Sequence, residues 1–127
     1  MTIRGFEEIE SWKEARILAA KICEMSNRGR FRTDFGLRDQ IRRAAVSIMA
    51  NIAEGFGRGG KPEFIRFLRI SRASALETKS HLYIAFDLGY LSDKEFETLH
   101  SQAARVTRLV GGFINYLLCD GTKEPKN

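Results

Sequence analysis

Several short patterns in this chain combine residue types used by catalytic or ligand sites, and each lacks a necessary part. Gly55 and Gly60-Lys61 open like a phosphate-binding loop, in which backbone amides ring a phosphate and a lysine reaches its outer oxygens. Pro62 stands where a hydroxyl would hold magnesium, and the preceding segment reads as helix rather than strand, so nucleotide hydrolysis is not expected. The loop amides beside a helix N-terminus could still take an anion. Glu97 and His100 form half of a di-iron signature, which needs a second such pair and two further inward glutamates. His81 follows Glu77 by one turn, a spacing for a local hydrogen bond. Cys23 and Cys119 are far apart, without the second pair a zinc site needs, and are expected as buried free thiols. The chemistry-bearing residues therefore predict no enzyme, no catalytic group, no metal and no cofactor.

Charge is the more informative pattern. Residues 28–72 hold eleven basic residues against four acids, a balance of +7 that leaves the remainder at −2 within a net charge of +5. Ten of the eleven are arginine, whose forked guanidinium suits phosphate or carboxylate better than a solvating lysine coat does. Arg66, Arg69 and Arg72 advance by three and share a slowly turning stripe, while Arg38, Arg42 and Arg43 supply a second one. With Arg58 and Lys61 between them, these eight are the expected nucleic-acid-binding residues. Such stripes hold phosphates without reading sequence, although they could equally meet acids across a subunit interface.

The elements that carry these residues are all helical. Apolar side chains recur at three-and-four spacing in four segments, and no alternating strand pattern is present. The first helix is expected over 11–27, with Ser11 as N-cap and Glu14 completing a capping box. A polar link with Gly29 and Gly36 leads to a second helix over 37–56, whose seam is Leu37, Ile41, Ala44, Ala45, Ile48, Ile52 and Phe56. The glycines at 55, 57, 59 and 60 make a corner, since each costs about 1 kcal/mol in a helix interior. A third helix follows over 62–88, started by Pro62 and stopped by Gly89. Its apolar residues spread beyond one stripe, which points to subunit contact as well as core. Ser92 and Glu95 cap a fourth helix whose face runs from Phe96 to Leu117.

At 127 residues, 43% hydrophobic and 29% charged, the chain fits one domain with its own core. The expected division is an N-terminal segment 1–10, a four-helix bundle 11–119 and a flexible tail 120–127. No apolar run approaches the ~20 residues of a membrane span, and the first residues resemble no targeting peptide. A cytoplasmic address without membrane contact follows. Asn51, Glu54, Ser74 and Glu77 fall in or beside the apolar seams and are expected as a buried polar register, bonded between helices or to arginine. Glu54 and Glu77 could pose as paired carboxylates, but no substrate-orienting set accompanies them.

Over roughly residues 6–117 the chain resembles the four-helix-bundle proteins encoded in intervening sequences of bacterial large-subunit ribosomal RNA genes. The resemblance rests on Phe6-Glu7-Glu8-Ile9 with Trp12, on Phe35-Gly36-Leu37 followed by Gln40-Ile41-Arg42-Arg43-Ala44-Ala45-Val46-Ser47-Ile48, and on Asn51-Ile52-Ala53-Glu54-Gly55-Phe56-Gly57-Arg58. Glu63-Phe64-Ile65-Arg66-Phe67-Leu68-Arg69-Ile70 and Leu88-Gly89-Tyr90-Leu91 complete it. The chain departs at Met49, where the family commonly has proline, and at Lys61-Pro62, where a serine cap is usual; a straighter second helix and a preset proline turn are the consequences. The resemblance implies an antiparallel up-and-down four-helix bundle assembled as a ring-shaped homo-oligomer, a pentamer. It also implies a fold similar to the accessory proteins of diversity-generating retroelements, which bind nucleic acid and a reverse transcriptase. The resulting expectation is a non-enzymatic oligomer that binds RNA or single-stranded DNA through its arginine-rich surface, largely without sequence specificity. The alternative is an interaction scaffold whose charged ring docks a partner protein.

Overall fold

In the computed structural model, which describes residues 2–119, the chain enters its first helix through a 3-10 turn at Phe6–Glu8. Helix α1 (Glu10–Met25) follows directly, with Ile9 at its boundary and no side-chain cap. This corrects the capping box expected at Ser11. Ile9 is fully buried and the Phe6 ring meets Trp12 edge-on at 5.1 Å, so hydrophobic anchoring sets the helix start. Ser11 is thereby drawn inside the helix, where its Oγ is buried without a partner. The packed unit therefore begins before residue 11.

The polar link contains a helical turn, α2 (Gly29–Thr33), which the glycine spacing did not suggest. Gly29 opens it at φ +52°, a left-handed conformation that glycine adopts without strain. Phe31 is the reason the turn exists: it is buried and stacks on Tyr90 at 5.0 Å. Asp34 then caps α3 (Phe35–Gly57) by accepting from the Leu37 amide, 3.3 Å away. Of the expected seam on this helix, Ile41, Ala44, Ala45, Ile48 and Ile52 are buried, with Leu37 and Phe56 half-buried at its ends.

The corner 58–60 leads to α4 (Lys61–Asp87), with Pro62 in its first turn. Gly89, at φ +78°, ends it. The expected capping box forms at the start of α5 (Asp93–Cys119): the Glu95 amide donates to Ser92 Oγ at 3.1 Å and the Ser92 amide to Glu95 Oε1 at 2.9 Å.

The long helices enclose one core, with α3 against α1 and α4, and α5 against α4 and α1. Each fully buried Leu or Ile contributes about 1.5–3 kcal/mol, so Leu18, Ile41, Ile48, Ile52, Leu68, Leu82 and Leu99 carry much of the stability. Small residues set the spacing. Gly55 faces Phe67 across the α3–α4 contact so closely that a Cβ there would stand 2.5 Å from the Phe67 Cβ.

Cys23 is half-buried and Cys119 is exposed, which corrects the expectation of two buried thiols. Cys119 lies two residues past buried Leu117, and 100° per residue turns it away from the core. Among the described residues no helix is long and apolar enough to cross a membrane. The expected tail, 120–127, lies outside the described residues.

Candidate nucleic-acid interface

The eight basic residues expected to bind nucleic acid are spread along the bundle instead of forming one patch. Arg38 and Arg58 stand at opposite ends of α3, roughly 30 Å apart at 1.5 Å per residue. Arg38 packs over the Phe35 ring at 4.8 Å, pairs with Asp39 at 3.3 Å and donates to the Arg32 carbonyl at 2.9 Å. Arg42 is a structural residue. Its Nε donates to Ser26 Oγ at 2.7 Å and its Nη2 to the Cys23 carbonyl at 3.2 Å, placing a cation on the negative end of α1.

At the α3–α4 corner, Arg58 pairs with Glu54 and Arg66 with Glu63, both at 2.8 Å. Both guanidiniums also lie over Phe67, at 5.0 and 4.6 Å. The hydrogen bond from Arg66 holds the Glu63 carboxyl below its ordinary value. These pairs are exposed and stabilise the fold little. Lys61 is exposed in the first turn of α4.

Arg43, Arg69 and Arg72 differ from the rest. All three are exposed and, among the described residues, none has a carboxylate within ion-pair distance. Arg72 reaches across to α5, where its Nε lies 3.4 Å from the position of a Cβ on Gly111.

The polar register divides. Asn51 donates to the Ser47 carbonyl at 2.8 Å and to its Oγ at 2.9 Å, and Ser47 Oγ meets Ser74 Oγ at 3.0 Å across α3 and α4. Ser71, which sequence reasoning did not single out, adds a bond to the Ile48 carbonyl at 2.8 Å. Glu54 and Glu77 are exposed, a correction to the expected buried register. Each stands one residue before a buried position, Gly55 and Thr78, and the helical step swings it to solvent. Glu54 does find an arginine partner, Arg58, which follows the last turn of its helix, whereas Glu77 bonds to His81 one turn along.

Two further groupings join residues distant in sequence. At one end of the bundle, Arg28 pairs with Glu95 at 2.6 Å, Arg30 Nη2 donates to the Leu88 carbonyl at 3.0 Å, and the Tyr90 hydroxyl donates to Asp34 at 2.8 Å. Between α4 and α5, Tyr83 meets Phe96 at 5.1 Å and His100 at 5.3 Å, and its hydroxyl lies 3.2 Å from His100 Nε2. Burial, and then the charge of Lys79, push the His100 imidazole below its ordinary value. The periodicity of each helix was visible in the sequence, but the meeting of their faces was not. Among the described residues, no three His, Cys, Asp or Glu side chains gather as a metal site.

Residues 7–112 match the family model described as 23S rRNA-intervening sequence protein. The fold is similar to the crystal structure of a protein with unknown function from the S23 ribosomal protein family of Bacteroides thetaiotaomicron VPI-5482. That likeness has a TM-score of 0.77 and 23% identity, covering 83% of this chain and 95% of the other. Among curated proteins nothing matches the chain.

Proposed function

The chain belongs to the 23S rRNA-intervening sequence protein family, and from that premise we propose a non-enzymatic helical bundle that holds RNA or single-stranded nucleic acid by its phosphates, largely without sequence specificity. One observation carries this reading: Arg43, Arg69 and Arg72 are exposed and have no carboxylate in ion-pair distance among the described residues. An unpaired surface guanidinium is free to displace the counterions of a polyanion. Arg38, Arg58 and Arg66 each share their charge with a carboxylate and contribute less, Lys61 is exposed in the first turn of α4, and Arg42 serves the fold.

The reading includes an antiparallel up-and-down bundle, favoured by the short connections 58–60 and 88–92. It also includes self-association, as a pentameric ring by family resemblance, in the cytoplasm. Exposed Val46, Ile70 and Ile84 favour an oligomer, and they equally favour a second function: a scaffold that docks a partner protein.

Filter retention of labelled single-stranded RNA at increasing salt tests the proposal. Affinity should fall with a log–log slope of about −0.7 for each phosphate contacted and vary little with base composition. Absence of retained RNA at low salt would end the nucleic-acid reading. Light scattering giving a monomer would remove the ring.

A further inference from the structure

The α4–α5 seam carries two stripes that run beside each other. On α4, Arg72, Leu76, Lys79 and Tyr83 recur at four, three and four residues; on α5, His100, Ala104, Arg108 and Gly111 recur at four, four and three. These are the spacings of one helix face. Two contacts hold the stripes in register: Tyr83 on His100 at one end, and Arg72 against Gly111 at the other. From Arg72 to Tyr83 the seam is about 16 Å long at the helical rise.

Its two ends differ in chemistry. Arg72 and Arg108 are exposed and Lys79 is half-buried, none with a carboxylate in ion-pair range among the described residues. Beyond His100 the nearest acid on the α5 stripe is Glu97, one turn away. Tyr83 is 51% exposed, yet its ring is braced by Phe96 and its hydroxyl by His100. A large aromatic held rigid at the surface loses little entropy when another flat ring covers it. Beside phosphate-binding cations, such a ring is the stacking platform of single-strand-binding proteins.

We propose that this seam seats a short stretch of single-stranded RNA, with one base stacked on Tyr83 and the adjoining phosphates on Lys79, Arg72 and Arg108. The inference rests on the nucleic-acid reading above and adds where the strand lies and why it must be single. A duplex keeps its bases stacked on each other and offers none to Tyr83.

The test uses a fluorescein-labelled oligouridylate, the same sequence paired into a duplex with oligoadenylate, and an oligouridylate carrying one 2-aminopurine. The full chain should bind the single strand more tightly than the duplex and quench the 2-aminopurine. Tyr83→Ala should weaken single-strand binding about ten-fold and abolish the quenching, leaving duplex binding unchanged. Tyr83→Phe, which keeps the ring, should retain both signals. Lys79→Glu and Arg108→Glu should weaken both RNAs and flatten the salt dependence; Arg108→Glu, at an exposed position, also decides the matter should Tyr83→Ala unfold. Equal affinity for single strand and duplex, or wild-type behaviour of Tyr83→Ala and Lys79→Glu while the chain still binds RNA, would overturn the seam alone. No RNA binding by the wild-type chain would overturn the underlying reading as well. Preferential binding of polyglutamate, lost in Lys79→Glu, would assign the seam to an acidic protein and also overturn the proposal.

Discussion

Replacing Gly55 with alanine should destabilise the bundle even though alanine is the better helix former. The added Cβ would stand 2.5 Å from Phe67 Cβ, 3.1 Å from Phe64 Cδ1 and 3.3 Å from Phe67 Cγ. A Cβ moves only with its backbone, so α3 and α4 must part by about 1 Å before ordinary contact returns. Overpacking of this kind costs about 1–3 kcal/mol. Separation also stretches the Ser71 bond to the Ile48 carbonyl and the Ser47–Ser74 pair, each contributing about 1 kcal/mol. Against this stands a propensity gain of at most about 1 kcal/mol. The expected net loss is about 1–2 kcal/mol. Gly112→Ala is the control. It lies within α5, and no heavy atom comes within 4 Å of where its Cβ would stand, so the propensity gain should appear undiminished. Urea melts of both variants and the wild type, fitted with a common slope, separate the two terms. A Gly55→Ala midpoint at or above the wild type would refute the close-approach argument, as would equal shifts in both variants.

Arg42→Ala should cost about 1–3 kcal/mol, because it strips a charged donor from the C-terminal turn of α1; RNA affinity per folded molecule should change little, and a large loss of binding without loss of stability would contradict the structural role. The Ser92 amide first, and then Arg28, hold the Glu95 carboxyl below its ordinary value of 4.5. This contribution is complete above 4.5 and is lost as pH falls through the lower folded value, so thermal melts of wild type and Glu95→Gln should converge on acidification. Arg69→Ala and Arg72→Ala should each reduce the slope of log affinity against log salt by up to about 0.7 in single-stranded RNA titrations, whereas Arg38→Ala should change it less. Trypsin should cut native protein after Arg58 before it cuts after Arg28, Arg30 or Arg32, as mass spectrometry of early fragments would reveal.

The helices were legible because their apolar spacing is local. Ile41, Ala45, Ile48 and Ile52 had to share a face whatever they packed against, and Ser92 with Glu95 marked a helix start in four residues. Ser11 and Glu14 carried the same signature, yet Ile9 and Phe6 outweighed it, because burying Ile9 and packing Phe6 on Trp12 stabilise the chain more than one cap. The turn at Gly29–Thr33 was hidden since its cause, the stacking of Phe31 on Tyr90, spans much of the chain. The arginines stand out in the sequence as a charge excess, but periodicity cannot say whether a guanidinium ends on a carboxylate, a helix terminus or solvent. Arg42 and Arg43 are adjacent in sequence and have different fates. Tyr83 and His100 form no local motif, so their meeting had no sequence signature.

The bonds joining Arg28 to Glu95, Arg30 to the Leu88 carbonyl and Tyr90 to Asp34 fasten both inter-helix connections at one end of the molecule to each other. The opposite corner, 58–60, has local ion pairs and a left-handed Gly59, and it faces no second connection to which it could be tied in this way among the described residues. One end of the bundle is thus sewn through its connections, whereas the other is held by side-chain packing, Phe56 on Phe64 and Phe64 on Phe113, with the corner itself left to solvent. Hydrogen exchange at the corner 58–60 should therefore outpace exchange near Tyr90.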